Sequence, residues 1–536
     1  MSTMPMNPTM PTSTTSTTSP TNPKTISLKP LWPNFSYFDH QTEGINWMLK
    51  KELEGTTVPT RDKKSEVNVY GGLQCDDMGL GKTIQIIATM THNQQPKTLL
   101  FAPLAMIQTW TDVCIRAGMI VYHASTGAKT ENDSKKDVTG HWVRMNTDKE
   151  SVPMYLFRKR PSVYITNYEK IYTGTSRFQL AWDRIVLDEA HKIRNGSGFL
   201  SYKLRKIPAK YRWAVTGTPL VNTKKDIVSL LAFIGVPYSP LFNWEPRYMT
   251  ALPHLLIHRT LDSLRSIIAS APPVPLVFEE TLAFTTEEEE EFYFGIQGAT
   301  TNLLKYSAEA LTTSAAFKLL LRLRQISVHP QVYINAKRRE SPFYKRKSWL
   351  QASTKLSKIE DIIYNESDDG EVHKYIIFCQ FNDEMELIRD YLSMGALVDP
   401  DNILLYNGSM NQKQRNAVLK KSKEINETTV MLIQLQAGGV GLNLQEYDRI
   451  IFVSPYWTAA LMDQAVARAV RMGQTKQVHV YHLLLEAEKS GTINIDELIN
   501  SKAEEKRSML EGIFEICAEH IKELEEGSTP DEEADV

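Results

Sequence analysis

Short apolar runs recur along this chain, and they constrain its fold more strongly than any other feature. Each run has four or five residues and is rich in branched or aromatic side chains, and longer stretches of helical period separate the runs. Runs of this kind are typical of the buried strands of a parallel sheet. The sequence therefore predicts two successive α/β sheets. The predicted strands lie at 98–102, 163–166, 184–187 and 213–216, and then at 375–378, 403–406, 430–433, 449–453 and 478–481.

The length of 536 residues fits two to four domains, and changes in composition indicate where they divide. The Ser/Thr/Pro-rich start and the acidic end have too little apolar surface to fold alone. The basic stretch between the sheets fits a solvated linker, a DNA contact or a nuclear-import signal. The predicted domains are a disordered tail at 1–24, an N-terminal lobe with helical insertions at 25–330, a basic linker at 331–358, a C-terminal lobe at 359–500, and a helical, then acidic tail at 501–536.

Composition excludes several classes of protein. Hydrophobic residues make up 42% of the chain and charged residues 23%, which excludes a wholly disordered or fibrous protein. No apolar run approaches the roughly 18 residues that cross a bilayer, so no membrane partner is expected. The net charge of −2 means that any nucleic-acid contact must be a local patch. The four cysteines have no Cys-x-x-Cys spacing, so neither a zinc site nor a disulfide framework is expected.

The segment CDDMGLGKT at 75–83 precedes a predicted helix and has the composition of a phosphate-binding loop. Its glycines let backbone N–H groups close around a phosphate, and a helix N-terminus favours an anion. Lys82 would reach the β- and γ-phosphates of ATP, and the Thr83 hydroxyl would bind Mg²⁺. Asp76 stands where the strict pattern has glycine, and a chance Gly-Lys-Thr after a strand is the alternative. The predicted ATP-binding residues of the loop are Asp76, Asp77, Met78, Gly79, Leu80, Gly81, Lys82 and Thr83.

Two adjacent carboxylates, Asp188 and Glu189, close the apolar run at 184–187. Asp188 is predicted to hold Mg²⁺ through water, and Glu189 to polarise the water that attacks the phosphate. A carboxylate pair at a strand end is more often part of a solvated loop when it stands alone. Because this pair follows the phosphate loop with part of a sheet between them, a catalytic role is predicted.

Two arginines in the second half of the chain, Arg468 and Arg471, are predicted to complete the site. They are three residues apart, which places both on one face of a predicted helix. Guanidinium groups stabilise the charge that develops during phosphoryl transfer, so both could act on a γ-phosphate across a cleft. The alternative is a helix face that bonds only within its own lobe. The predicted catalytic residues are Lys82, Asp188, Glu189, Arg468 and Arg471.

Over residues 38–485 the chain resembles the Swi/Snf-type DNA-dependent ATPases of helicase superfamily two. The matching segments, in order, are FDHQ at 38–41 with GINW at 44–47, DDMGLGKTIQ at 76–85, DEAHKIRN at 188–195, TGTP at 216–219, AGGVGLNL at 437–444 and QAVARAVRMGQ at 464–474. The segment LLRLRQ at 320–325 is similar to a branch in which many members carry a RING insertion. The cysteines of a RING are missing here, so ubiquitin-ligase activity is not expected. The short chain resembles the compact forms found in large DNA viruses.

The resemblance implies an α/β fold of two RecA-like lobes, with ATP and Mg²⁺ in the cleft between them and Gln41 as the adenine contact. It also implies translocation on duplex DNA through phosphate contacts, and remodelling of protein–DNA complexes in transcription regulation or repair. Transcription machinery or nucleosomes would then be partners, and the location would be nuclear. The residues implied in coupling ATP to DNA are His191, Thr216, Gly217, Thr218, Gly438, Gly439, Gly441, Asn443 and Gln464.

Three positions depart from the family pattern, and so does the segment SPYWTA at 454–459, where the family usually has DPxWNP. Val221 stands where glutamine is common, Gln436 where a basic residue is common, and Ala467 where an acidic residue is common. These positions concern DNA contact and coupling of the lobes more than phosphate chemistry. Two other functions stay open: a strand-separating helicase, and a DNA-binding activator or scaffold that needs no turnover.

Overall fold

The computed structural model describes residues 27–526, except 63, 125–141, 146–160, 174–177, 179–180, 266–270, 307–311, 368–369, 396, 439–441 and 488–490. The predicted tail at 1–24 and the final residues 527–536 of the predicted acidic tail lie outside the described residues. None of the described helices is long and apolar enough to cross a membrane.

The first sheet is parallel throughout, as its apolar runs predicted. It follows a small antiparallel pair, β1 (Thr56–Pro59) and β2 (Glu66–Val69). Its eight described strands are β3 (Gly71–Gln74), β4 (Lys97–Phe101), β5 (Ile120–Ala124), β6 (Trp142–Met145), β7 (Ser162–Thr166), β8 (Trp182–Asp188), β9 (Ala209–Val215) and β10 (Leu256–Ile257). Their order across the sheet is β10-β3-β9-β8-β4-β7-β5-β6. The four strands predicted in this half correspond to β4, β7, β8 and β9.

The second sheet is also parallel. Within the described residues it contains β11 (Leu276–Leu282), β12 (Lys374–Cys379), β13 (Ile403–Tyr406), β14 (Thr429–Gln434), β15 (Arg449–Phe452) and β16 (His479–Leu485). The order is β11-β16-β15-β12-β14-β13, and each neighbouring pair is parallel. The five predicted strands of this half correspond to β12–β16, and β11 was not predicted.

Helices cover both sheets, and central strands such as β4, β7, β12 and β14 are buried, as is typical of parallel sheets. The helices of the first half are α1 (Asp39–Leu53), α2 (Lys82–His92), α3 (Ile107–Arg116), α4 (Lys170–Thr173), α5 (Phe199–Lys206), α6 (Lys224–Ile234), α7 (Arg247–Leu255) and α8 (Leu261–Leu264). Those of the second half are α9 (Glu287–Tyr306), α10 (Thr313–Val328), α11 (Pro330–Glu340), α12 (Thr354–Glu366), α13 (Asn382–Met394), α14 (Gln412–Glu424), α15 (Leu435–Gly438), α16 (Ala459–Val466) and α17 (Ile495–Glu526). Short 3₁₀ turns lie at Leu104–Met106, Ala190–Ile193 and Pro400–Asn402.

The division between the lobes differs from the predicted first lobe of 25–330. Strand β11 pairs with β16 in the second sheet. Side chains of α9 and α10, including Tyr293 and Leu323, pack in the second lobe's core. The predicted linker at 331–358 begins inside α11, whose apolar side chains are buried because they pack on the same core. The basic residues of this stretch therefore follow a packed helical face.

One helix joins the lobes. Helix α17 buries Ile495 and Ile499 in the second lobe's core and Ile513 and Cys517 in the first lobe's core. The side chain of Phe514 on this helix stacks on a histidine of the first lobe, His258, with ring centroids 3.5 Å apart. The lobes are therefore connected by a continuous helix as well as by the chain between them.

Candidate active site

The phosphate loop, residues 75–81, connects the carboxyl end of β3 to the N-terminus of α2. Ligands of open parallel sheets bind at this edge, and the helix N-terminus favours an anion. Gly79 and Gly81 have φ of +86° and +80°, a backbone conformation that side chains disfavour. Lys82 Nζ donates to the carbonyl oxygens of Asp76 at 2.7 Å and Asp77 at 3.0 Å. The lysine side chain is thus folded back onto the carbonyl groups of the loop.

An arginine that the sequence analysis missed neutralises the aspartate in the glycine position of the loop. The Asp76 side chain is completely buried, and Arg259 donates to it from Nε at 3.0 Å and from Nη2 at 2.5 Å. Two amide groups, from Gln74 and Gln85, donate to the same carboxylate at 2.8 and 3.0 Å. A buried carboxylate needs such partners, because an unpaired charge is costly to bury. Arg259 follows β10 and belongs to none of the motifs, so its position could be found only from the fold.

The predicted adenine contact lies against the phosphate loop. Gln41, in the first turn of α1, donates from Nε2 to the carbonyl oxygen of Leu80 at 3.4 Å. His40 Nε2 lies 3.0 Å from the same oxygen, and burial lowers the pKa of this imidazole, which favours its neutral form. Arg259 also donates to the backbone carbonyl of His40. The segment at 38–41 and the loop are therefore one connected unit.

The two predicted carboxylates lie at the carboxyl end of β8. Asp188 Oδ2 accepts a hydrogen bond from Trp110 Nε1 at 2.8 Å, and its backbone carbonyl accepts one from the Tyr168 hydroxyl at 2.6 Å. Glu189 has a φ of +50°, which is unusual for a residue with a side chain. Strained backbone of this kind persists where the surrounding structure holds it, and it concentrates at functional sites.

The charges of the carboxylate pair are set by their surroundings. Burial and, to a smaller extent, the neighbouring Glu189 raise the pKa of Asp188. Burial opposes ionisation of Glu189 too, but His191, Arg468 and Lys82 outweigh it and lower the pKa of Glu189. Glu189 is therefore the member of the pair that carries the negative charge, as a group that accepts a proton must.

A chain of polar side chains leads from Glu189 to the second lobe. His191 Nδ1 lies 3.3 Å from Glu189 Oε2, and 3.3 and 3.4 Å from the hydroxyl oxygens of Thr216 and Thr218. Gln464 Nε2, from α16 in the second lobe, donates to the Thr218 hydroxyl at 3.1 Å. Four of the residues predicted to couple ATP to DNA thus contact one another across the cleft.

The predicted arginines lie across the cleft from the phosphate loop, but not on a helix. Helix α16 ends at Val466, and Arg468 and Arg471 lie in the turns that follow it. A Cβ atom placed on Gly79 would lie 3.7 Å from Arg471 Cβ, so this arginine abuts the loop. Burial lowers the pKa of Arg468, and Glu189 opposes that effect. The prediction that both arginines share a helix face was wrong, because the helix ends before them. Both residues nevertheless face the first lobe's half of the site.

Gly217 lies beside the phosphate loop, where a Cβ atom placed on it would be 3.6 Å from both the Asp76 carbonyl oxygen and Lys82 Nζ. No described contact brings the other predicted coupling residues to the cleft. Gly438 is the last residue of α15, and Gly439 and Gly441 lie outside the described residues. Asn443 is exposed. Gln436, at a position where the family has a basic residue, donates to the Tyr456 hydroxyl at 2.7 Å within the second lobe.

The donor set fits Mg²⁺ bound together with a nucleotide. In the described part of the chain, no group of three His, Cys, Asp or Glu side chains is arranged to hold a metal ion alone. Mg²⁺ is usually held by one or two carboxylates, waters and substrate phosphates, with oxygen as the only donor atom. Asp188 and the Thr83 hydroxyl supply such oxygens beside the phosphate loop.

Comparison with known proteins assigns the chain to a family. The model of the SNF2-related domain matches residues 40–332, and that of the helicase conserved C-terminal domain matches residues 354–473. The "Probable global transactivator" of Orgyia pseudotsugata multicapsid polyhedrosis virus is 23% identical over 91% of this chain and 93% of its own length. The "Chromodomain-helicase-DNA-binding protein 1-like" of Danio rerio is 26% identical over 84% of this chain, which spans only 42% of that protein.

A solved structure, the "Sulfolobus solfataricus SWI2/SNF2 ATPase core in complex with dsDNA", has 21% identity and a TM-score of 0.36, with coverage of 86% of this chain and 90% of the other. The SNF2-related model spans the whole first sheet and β11, and the helicase C-terminal model spans β12–β15 of the second sheet, in agreement with the predicted pair of RecA-like lobes. The SNF2-related domain model alone matches more than half of the chain. The chain therefore belongs to the SNF2-related family of helicase-like ATPases.

Proposed function

We propose that this protein is a DNA-dependent ATPase that translocates on duplex DNA and remodels protein–DNA complexes. The observation that carries the proposal is the meeting of two half-sites across the cleft. Arg471 abuts Gly79 of the phosphate loop, and Gln464 donates to Thr218. A nucleotide bound in this cleft would contact both lobes, so its hydrolysis would depend on how the lobes are arranged.

The first lobe would bind ATP. Lys82 would exchange its bonds to the loop carbonyls for bonds to the β- and γ-phosphates, while the N-terminus of α2 supports the same negative charge. Thr83 and Asp188 would hold Mg²⁺, which neutralises charge on the phosphates when it is bound. Gln41 lies close enough to the loop to contact the base of the same nucleotide.

Glu189 would orient the attacking water and accept its proton as the bond to phosphorus forms, and its surroundings keep it ionised for that role. Arg468 and Arg471 would stabilise charge on the transferring phosphoryl group. Because these arginines come from the second lobe, DNA that bridges the lobes would control hydrolysis by controlling the cleft.

The relatives support the DNA substrate and the biological role that we propose. One relative's name describes a helicase-DNA-binding protein, and another's a transactivator of viral origin. These names support a role in transcription regulation or repair, with transcription machinery or nucleosomes as partners and the nucleus as the site of action. Contacts to phosphates would make DNA binding independent of sequence and sensitive to salt.

ATP hydrolysis by the purified protein at low salt, with and without duplex DNA, tests the proposal. Duplex DNA should stimulate hydrolysis, and Glu189→Gln should lower the stimulated rate by about 10²- to 10⁴-fold, because it removes the general base. Glu169→Gln is the matched control, since Glu169 is exposed on the same lobe. ATP binding without stimulated turnover in the folded wild type would contradict the proposal.

Two further assays separate the alternative functions. Strand displacement on a forked duplex would identify a strand-separating helicase, which the proposal does not expect. A scaffold would keep its effect in cells after Lys82→Ala, whereas a motor would lose it.

A further inference from the structure

One stretch of the first lobe is far more basic than the chain as a whole. Residues 190–225 contain nine lysines and arginines and no aspartate or glutamate, although the whole chain has more acidic than basic residues. The stretch begins at the DEAH segment and includes α5. A polyanion is the ligand that such a local charge favours.

The exposed side of α5 combines this charge with aromatic rings. Phe199, Tyr202, Lys203 and Lys206 follow the spacing i, i+3, i+4 and i+7, which puts them on one side of the helix. The opposite side, with Ser201 and Leu204, is buried in the lobe. The outward side therefore carries only aromatic and basic side chains.

A third ring extends this surface. Tyr172, which is 59% exposed, stacks on Phe199 with ring centroids 5.3 Å apart and planes at 20°. Phe199 and Tyr202 each expose half of their surface, and Lys203 and Lys206 lie over their rings at 5.2 and 5.8 Å. These five residues are called the aromatic face below. Rings this exposed contribute little to the core, so packing alone does not account for them.

We propose that the aromatic face binds a nucleic-acid strand with unpaired bases. Bases would stack on the rings of Tyr172, Phe199 and Tyr202, while Lys203 and Lys206 move from the rings to the phosphates. A duplex offers phosphates to the lysines, but its bases are stacked on one another and cannot reach the rings. Stacking of bases on aromatic side chains next to basic groups is how single strands are bound without sequence preference.

The segments that carry the aromatic face adjoin, in the chain, residues that contact the carboxylates of the candidate active site. Lys192 lies over the Tyr168 ring at 5.8 Å, and the Tyr168 hydroxyl donates to the backbone of Asp188. Tyr172 follows Tyr168 by four residues and Phe199 follows Lys192 by seven, so a strand bound to the aromatic face would contact the segments that adjoin the DEAH segment. This inference concerns a second kind of nucleic acid, and it does not depend on ATP hydrolysis or on duplex binding.

The test is fluorescence anisotropy with the full chain at low salt, using three probes: a 15-nucleotide oligo-dT, the same backbone with abasic sites, and a blunt duplex. The wild type should bind oligo-dT more tightly than the abasic strand. Phe199→Ala and Tyr172→Ala should each weaken oligo-dT binding by about tenfold, because each removes a stacking ring. In the double variant with Phe199→Ala and Tyr172→Ala, the affinity for oligo-dT should no longer exceed that for the abasic strand. The affinity for the duplex should stay within about twofold of the wild-type value.

Phe343→Ala is the matched control, because Phe343 is an aromatic residue that is 87% exposed on the second lobe. It should leave the affinity for oligo-dT unchanged. Lys203→Gln and Lys206→Gln should each reduce the salt dependence of oligo-dT binding. The slope of the logarithm of the binding constant against the logarithm of the salt concentration should fall in magnitude by about 0.7 per lysine.

Three results would overturn the proposal. They are an unchanged oligo-dT affinity in the ring variants, an equal loss for oligo-dT and the abasic strand, and displacement of oligo-dT by polyglutamate at equal charge concentration. The second result would indicate that the surface contacts phosphates only, and the third that the surface binds acidic peptides. Thermal melting of each variant verifies that it is folded, which is expected since all three rings are half-exposed.

Discussion

The two lobes hold the charges of the candidate site in different ways. The first lobe pairs its buried Asp76 with its own Arg259 and two glutamines. The second lobe contributes Arg468, and the carboxylates that act on the pKa of this arginine, Glu189 and Asp188, belong to the first lobe. The first half-site is thus assembled within one lobe, whereas the second half-site acts only where the lobes meet. Binding and hydrolysis of a nucleotide should therefore be separable by mutation.

Substitution of the second lobe's arginines should have the largest effect. Arg471→Ala should lower the DNA-stimulated kcat by about 10³-fold or more, because an arginine supplied across a cleft stabilises the transferring phosphoryl group. Affinity for ATP should change by less than about fivefold, since the phosphate loop is intact. Single-turnover hydrolysis and titration with a fluorescent ATP analogue measure the two effects. Arg389→Ala, at an exposed arginine of the same lobe, is the control. A parallel loss of affinity and rate would contradict the separation.

Substitution of Arg259 should lower the folding stability of the first lobe itself. Arg259→Gln leaves the buried Asp76 carboxylate without its counter-charge, which should destabilise the lobe by about 3–5 kcal/mol. Urea unfolding measures the change. The double variant with Asp76→Asn should recover part of the loss, because no charge is then left unpaired. Additive losses in the double variant would mean that the two side chains are not coupled.

The hydrogen bond between Gln464 and Thr218 should have the smallest effect. Gln464→Ala and Thr218→Val should each reduce DNA stimulation by about fivefold, since a neutral hydrogen bond contributes about 1 kcal/mol. The double variant should be no worse than either single variant, because both remove the same bond. Steady-state hydrolysis over a range of duplex concentrations gives the comparison. If the fold loss of DNA stimulation in the double variant equalled the product of the two single losses, the two residues would act separately.

The sequence predicted those parts of the structure that depend on local pattern. Buried parallel strands are apolar throughout, so runs such as 98–102 and 430–433 indicated β4 and β14 to within one residue at each end. The phosphate loop was predicted because its glycines and lysine must be adjacent in the chain. Its proposed roles, like those of the other candidate residues, stay predictions until they are measured.

Features that depend on tertiary pairing were missed. Strand β11 contains Glu279 and Glu280 and is largely exposed, so its apolar run is only three residues long and did not indicate a strand. Arg259 has no motif around it, and only the fold brings it to Asp76. Lys337, Arg338 and Arg339 indicated a linker, although they lie at the end of a helix that packs on the second core.

The pairing of β11 with β16 also has a consequence during synthesis of the chain. Phe278 is aligned with Tyr481, about 200 residues later. At about 5–20 residues per second, a ribosome needs roughly 10–40 s to make the missing partner. For that time Leu276, Val277 and Phe278 belong to an unpaired strand, of the kind that pairs with other chains. Glu279 and Glu280 in the same strand oppose such pairing, since charge within an apolar strand protects it from aggregation.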